Sequence, residues 1–77
     1  MENKRNEYYP KNRKAWRNWL QKNYADKQHV WLIIYRKAAG KPTVTYDEVV
    51  EEALCFGWID SKPNKRDDES YFLFVAP

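Results

Sequence analysis

Residues 12–24 carry apolar side chains at the spacing of an amphipathic helix. The apolar positions are Ala15, Trp16, Trp19, Leu20 and Tyr24, and polar residues fill the opposite side of the helical wheel. Pro10 precedes the segment, and Asn12 is a residue type that caps helix N-termini well. The pattern therefore predicts a first helix over about residues 12–24.

A continuous apolar run follows at Val30–Tyr35. It is short and rich in β-branched and aromatic residues, which favours a strand over a helix. Both alternating faces are apolar: one carries Trp31, Ile33 and Tyr35, and the other carries Val30, Leu32 and Ile34. This is typical of a central strand that is covered on both sides.

A capping box begins a second helix. The Thr45 hydroxyl is placed to accept from the Glu48 amide, and the Glu48 carboxylate is placed to accept from the Thr45 amide. Apolar residues then recur at helical spacing from Tyr46 to Leu54, and Gly57 stands where a helix-ending glycine is expected. We predict a second helix over about residues 46–56.

Two further strands are predicted after this helix. Residues 58–61 form a short one, Pro63 opens a charged turn that runs to Glu69, and residues 70–76 form the last one. The predicted order is α-β-α-β-β. We therefore expect an α+β fold with a small, three-stranded, mostly antiparallel sheet packed with two helices. Residues 1–9 are expected to be a flexible polar lead-in, and residues 10–77 a single domain.

A sheet this small raises a question about its second face. If both helices pack on one side, the other side still carries Tyr35, Phe72 and Phe74, and exposed apolar patches of this kind usually mark a partner surface. A second copy of the domain or another protein would then cover it. Alternatively, one helix covers each face.

Composition and charge narrow the classes of partner. The chain has 77 residues, and 17% of them are aromatic, which is typical of a globular domain. Residues 1–37 carry ten Lys/Arg against three Asp/Glu, whereas residues 38–77 carry four against eight. The basic half fits a solvated helix face or, alternatively, a module that binds single-stranded nucleic acid. That alternative would use basic and aromatic residues together: Lys11, Arg13, Lys14, Arg17 and Lys22 beside Tyr8, Tyr9, Trp16 and Trp19.

Localisation follows from the same composition. A single cysteine fits a reducing compartment, and the polar N-terminus lacks the apolar segment of a signal peptide. The longest apolar run is far shorter than the ~20 residues of a membrane span. We expect a cytoplasmic protein that is not inserted in a membrane.

No catalytic or metal-binding constellation emerges from the sequence. Cys55 falls beside glutamates at a helix C-terminus, and both features disfavour a thiolate. His29 is the only histidine, and no nucleophile pattern surrounds Ser61. One histidine and one cysteine are too few for a zinc site. We therefore expect a non-catalytic binding domain without a cofactor or a metal.

The best candidate for a small-ligand or partner site is the segment after the second helix. Trp58, Asp60, Ser61 and Lys62 bring an aromatic ring, a carboxylate, a hydroxyl and an ammonium together, which is a common ligand-binding mixture. Tyr71 is added as a further contact residue. Tyr35, Phe72 and Phe74 are the expected interface residues.

Several stretches of the sequence carry a family resemblance. The first group comprises Val30-Trp31-Leu32, Tyr35-Arg36-Lys37, Gly40-Lys41-Pro42-Thr43 and Thr45-Tyr46. The second group comprises Glu52-Ala53-Leu54-Cys55-Phe56-Gly57-Trp58-Ile59-Asp60-Ser61, followed by Asp67-Asp68-Glu69 and Tyr71. Over about residues 15–71 the chain resembles the YdeI/OmpD-associated family of bacterial proteins.

The resemblance implies an α+β fold and a link to protection against bacteriocins or antimicrobial peptides, with no established reaction or cofactor. Phe74 stands where the family tends to have an arginine. The family's longer C-terminal part does not follow Pro77, so the chain resembles a short form. Any function that depends on that basic segment or C-terminal part is not expected here.

Overall fold

The computed structural model describes residues 6–77, so the first five residues of the predicted lead-in lie outside the described residues. The elements in chain order are β1 (Glu7–Tyr8), α1 (Arg13–Asn23), β2 (Val30–Tyr35), a 3₁₀ helix (Lys37–Ala39), α2 (Tyr46–Cys55), β3 (Ile59–Lys65) and β4 (Ser70–Ala76). Two helices and one mixed four-stranded sheet make an α+β fold, which confirms the predicted class.

The sheet has the order β1-β2-β4-β3. β1 runs parallel to β2, and the other two pairs are antiparallel. The prediction of three strands is wrong because β1 is an additional strand. β1 has only two residues, too few to show an alternating pattern. Asn6 extends its contacts, since its carbonyl accepts from the Trp31 amide at 2.7 Å and its side chain donates to the His29 carbonyl at 2.8 Å.

The predicted turn at Pro63 is also wrong, because β3 continues through this residue to Lys65. Asp60 pairs with Val75 and Pro63 pairs with Leu73, so two residues of β3 lie opposite one residue of β4. β3 is an edge strand with a bulge, and both features let a strand accept a proline. The turn is thereby shortened to residues 66–69.

Both helices form as the sequence predicts. The Asn12 side chain accepts from the Ala15 amide at 2.8 Å, which caps α1. Both hydrogen bonds of the capping box are present at the start of α2, at 3.2 Å and 3.0 Å. After α2, Gly57 has a φ of 76°, a left-handed conformation that glycine adopts without a steric penalty.

Both helices pack on the same face of the sheet. Apolar residues of α1 and α2 meet one alternating side of β2 and β4 in a single buried cluster, whose largest members include Trp16, Leu20, Val30, Leu32, Val49, Trp58, Leu73 and Val75. The Trp16 indole N–H donates to the Val49 carbonyl at 3.1 Å and joins the two helices inside this core. The arrangement with one helix on each face is therefore excluded for the described residues.

A buried carboxylate also joins the helices. Glu52 of α2 is 4% exposed, and it accepts from Arg13 at 2.6 Å and from Arg17 at 2.8 Å and 2.9 Å. Hydrogen bonds from Arg17 and Arg13 lower the pKa of Glu52 to about 2, against the opposing effect of burial. The buried carboxylate therefore stays charged and holds α1 against α2.

Candidate binding surfaces

The face of the sheet opposite the helices carries large apolar side chains. We call this surface the outer sheet face and define it by Trp31, Ile33, Tyr35, Ile59, Phe72 and Phe74. In the described part of the chain no helix packs on it. Trp31, Phe72 and Phe74 are half-buried, and Ile59 is 58% exposed. The predicted interface residues Tyr35, Phe72 and Phe74 thus share one surface.

The aromatic rings in the middle of the outer sheet face contact one another. The centroids of Trp31 and Phe74 lie 4.8 Å apart, and those of Trp31 and Phe72 lie 6.0 Å apart. The His29 ring stacks on Phe74 at 5.3 Å. These contacts tie the rings of the two central strands into one aromatic cluster.

Cations lie over rings towards the other end of this face. Lys41 Nζ is 5.3 Å from the centroid of the Tyr35 ring, and the Arg66 guanidinium is 5.9 Å from that of Phe72. Tyr9 packs edge-on against Tyr35 at 5.1 Å, and its hydroxyl donates to the Pro42 carbonyl. The rim at this end is therefore basic and aromatic.

One row across the sheet ends in opposite charges. Glu7 of β1 is in register with Trp31, and Trp31 is in register with Phe74. On the far side of Phe74 the bulge of β3 places Ser61 and Lys62. The row therefore runs from a carboxylate at one edge, through two aromatic rings, to an ammonium at the other edge.

A cleft lies on the helix side of the sheet, where β2 and β3 end and α2 begins. Its first depression has a volume of about 430 Å³ and is lined by Arg36, Tyr46, Pro63, Asn64, Lys65 and Tyr71. A second depression of about 520 Å³ shares Arg36, Tyr46 and Tyr71 with the first. It extends towards Lys37 and the backbone that precedes α2. Among the described residues no carboxylate lines either depression.

Arg36 lines both depressions of this cleft. Its amide donates to the Glu69 carbonyl at 2.7 Å, and its guanidinium lies 5.2 Å from the centroid of the Tyr71 ring. No ion pair joins Arg36 or Lys37 to a carboxylate in residues 6–77. Lys65 has only the fully exposed Asp68 nearby, at 3.9 Å.

Both phenols of the cleft are held in the neutral form. The Tyr46 hydroxyl donates to Asp60, and this hydrogen bond raises the pKa of Tyr46. Burial raises the pKa of Tyr71. Two neutral rings, one guanidinium and two ammonium groups therefore line the cleft, which is a set of groups suited to an anion.

The predicted contact residues after α2 do not form one site. Trp58 is 1% exposed and packs edge-on against Trp19 at 5.9 Å, so it belongs to the core. Tyr71 lines the cleft, and Asp60 lies beside it, where it accepts from the Tyr46 hydroxyl. Ser61 and Lys62 lie in the bulge of the edge strand β3. Sequence reasoning missed Arg36, Tyr46 and Lys65. They come from three separate elements, and the only local signal was a basic residue directly after the buried strand β2.

The basic face of α1 is partly engaged within the protein. Trp16 is fully buried, and Trp19 packs against the same core. Arg13 and Arg17 bind Glu52, and Arg13 also binds Glu51 at 3.0 Å. The cations of the nucleic-acid hypothesis that remain on this helix face and just before it are therefore lysines.

Cys55, a candidate reactive side chain, has ordinary surroundings. Cys55 is exposed, and its thiol donates to the Glu51 carbonyl at 3.4 Å, one turn earlier in α2. Within residues 6–77 no group of three potential metal ligands occurs. The described helices also include none that is long and apolar enough to cross a membrane.

Comparisons with known proteins give a family but no activity. The model of a domain of unknown function, DUF8412, matches residues 8–77. No curated protein and no solved structure matches the chain. Because the family match begins in β1 and includes every later element of the fold, the chain belongs to the DUF8412 family.

Proposed function

We propose that the protein is a non-catalytic interaction domain whose outer sheet face binds a second copy of the chain. The observation that carries this proposal is the row from Glu7 through Trp31 and Phe74 to Lys62, with opposite charges at its two ends. When one copy of the row is rotated by 180° and laid over another, each charged end faces the opposite charge.

A two-fold dimer brings the opposite charges of the two rows together. A two-fold axis that runs parallel to the strands, between two facing sheets, lays β1 of one copy over β3 of the other. Position along the strands is unchanged by this operation. Glu7 of each copy then faces Lys62 of the other copy, and the pair occurs twice.

The middle of the row is suited to an interface core. It carries aromatic rings and no formal charge, and the adjacent Ile59 is 58% exposed. Depletion of charge and enrichment in aromatic residues are what distinguish the core of a protein interface from the remaining surface.

Association through the strand edges is disfavoured. The edge strand β3 carries Lys62, Pro63 and Lys65 and contains a bulge, and each of these features hinders the addition of another strand. The opposite edge strand, β1, has only two residues. A partner is therefore expected to use the face and not the edges.

The resemblance to the YdeI/OmpD-associated family supplies a biological setting for this proposal. It stays a prediction that the domain contributes to protection against bacteriocins or antimicrobial peptides. The alternative of a single-stranded nucleic-acid module receives less support, because two arginines of the basic helix are engaged by Glu52.

Light scattering across a wide concentration range tests the dimer, with variants of the two edge charges. Because the pair occurs twice, Glu7→Lys or Lys62→Glu alone replaces two opposite-charge pairs by two like-charge pairs. Each substitution therefore changes the association free energy by about 2 kcal/mol and weakens association about 10- to 30-fold. The double variant exchanges the two charges and is expected to associate like the native protein. Native association persists at high salt because its core is apolar.

Matched controls separate this effect from net charge. Asp26→Lys and Lys22→Glu make the same charge changes at exposed positions away from the outer sheet face and should leave the dimer unchanged. A native protein that stays monomeric at high micromolar concentration would contradict the proposal. So would a double variant as weak as either single variant.

A further inference from the structure

We propose that the cleft between the ends of β2 and β3 and the start of α2 binds a small planar aromatic anion, with its carboxylate or phosphate on Arg36. This site lies on the helix side of the sheet and does not depend on the outer sheet face.

The charged side chains that line the cleft are all positive. Arg36, Lys37 and Lys65 all line the cleft, and in the described part of the chain no carboxylate does. The nearest carboxylate of the adjoining strand, Asp60, already accepts from the Tyr46 hydroxyl. Among the described residues, Arg36 and Lys37 have no ion pair, and Lys65 has one with the fully exposed Asp68 at 3.9 Å, so an anionic ligand would meet cations that are available to it.

The guanidinium of Arg36 has a geometry that suits an anion. A guanidinium presents parallel N–H donors that match a carboxylate or a phosphate in a two-point contact. The guanidinium of Arg36 lies over the Tyr71 ring, 5.2 Å from its centroid. Its backbone is fixed by the hydrogen bond to Glu69.

The size and the apolar surface of the cleft suit a small aromatic ligand. The depression of about 430 Å³ lies in the size range of small-molecule sites. The Tyr46 residue is 47% exposed, and with Pro63 it offers flat apolar surface beside the cations. An aromatic ring fits between such surfaces by stacking. The phenol of Tyr71 is neutral, so it is able to donate a hydrogen bond to the anion.

Four groups of probes test the ligand class by ¹H–¹⁵N NMR titration. Benzoate and phenyl phosphate carry both the ring and the anion, and they distinguish a carboxylate from a phosphate ligand. Acetate lacks the ring, cyclohexanecarboxylate lacks the planarity, and benzyl alcohol lacks the charge. We expect saturable shifts of the Arg36, Lys65 and Tyr71 amides with one or both aromatic anions and much weaker binding of the others.

Charge-matched variants locate the site. Arg36→Gln should weaken aromatic-anion binding about tenfold or more through loss of the two-point contact, and Lys65→Gln should weaken it less. Lys27→Gln removes one exposed cation outside the cleft and should leave binding unchanged. Because Arg36 is exposed, its variant is expected to retain the native fold, and its spectrum checks this.

Two results would overturn the inference. One is equal shifts with acetate and benzoate, which would mean a general response to anions. The other is native affinity in the Arg36→Gln variant, which would mean that the anion does not bind Arg36. The Glu7→Lys variant keeps this test independent of the proposed dimer, because it should still bind benzoate.

Discussion

At the scale of single residues, the most unusual group is the buried carboxylate of Glu52. It lies between two helices and receives hydrogen bonds from two arginines that are themselves 41% and 51% exposed. Removing one partner of a buried ion pair leaves the other uncompensated, which is strongly destabilising. The half-exposed arginines moderate the effect, because water screens their charges.

We expect Glu52→Gln to lower the free energy of unfolding at pH 7 by about 1–3 kcal/mol, since a neutral amide cannot compensate the two guanidinium groups. Glu51→Gln is the matched control. Glu51 is 60% exposed and binds only Arg13, so its loss should change stability by less than about 0.5 kcal/mol. Urea denaturation of the three proteins gives both values, and equal effects of the two substitutions would contradict this account.

The same carboxylate predicts a pH dependence with a definite sign. The pKa of Glu52 falls from 4.5 to about 2 on folding, because the arginines favour the charged form. Its contribution is therefore fully present above pH 4.5, and it is lost as the pH falls from 4.5 towards 2. Denaturation midpoints measured over this range should fall more steeply for the native protein than for Glu52→Gln. Parallel curves would show that Glu52 does not contribute to acid unfolding.

At the scale of elements, the sequence predicted the helices and strands whose limits are set by residues close together in the chain. The capping box and Gly57 mark the two ends of α2 both in the sequence and in the fold. The predicted limits of β2 and β4 lie within one residue of the observed ones. β1 and the second half of β3 were missed because their cause is not local. β1 forms only because β2 offers it an edge, and Pro63 is accepted only because β3 lies at the opposite edge.

The capping box gives a prediction at this scale. Thr45→Ala removes the acceptor of the Glu48 amide and should lower stability by about 0.5–2 kcal/mol. Thr45→Ser keeps a hydroxyl in the same place and should lie close to the native protein. Urea denaturation with an unchanged m-value would assign the loss to the folded helix. If the serine variant were as unstable as the alanine variant, the hydroxyl would not be the cause.

At the scale of the whole molecule, the sheet separates two different surfaces. The aromatic outer face was foreseen from alternation along β2 and β4, which placed Tyr35, Phe72 and Phe74 together. The cleft was not foreseen. Arg36, Tyr46 and Lys65 are far apart in the chain, and only the packing of α2 over the ends of β2 and β3 brings them to one place.

The order of the strands predicts how the sheet opens. β2 and β4 are its central pair and have a partner on each side, whereas β1 and β3 are edges. Opening of an edge strand breaks one ladder, and opening of a central strand breaks two. We expect amides of β4 that face β2 to exchange with deuterium roughly tenfold or more slowly than the free-edge amides of β3. Exchange of the β3 edge as slow as that of β4 would contradict this order of stability.

The position of β4 in the chain also has a consequence for how the protein is made. β4 follows the other described elements in the chain, yet it is the strand that joins β2 to β3. A nascent chain that already contains both helices and the other three strands still lacks every hydrogen bond of the two antiparallel ladders. Until β4 emerges from the ribosome, the apolar edge of β2 has no antiparallel partner and is open to other chains. Fast synthesis of β4, or a chaperone that covers β2, is therefore expected to raise the fraction of newly made protein that reaches the native fold.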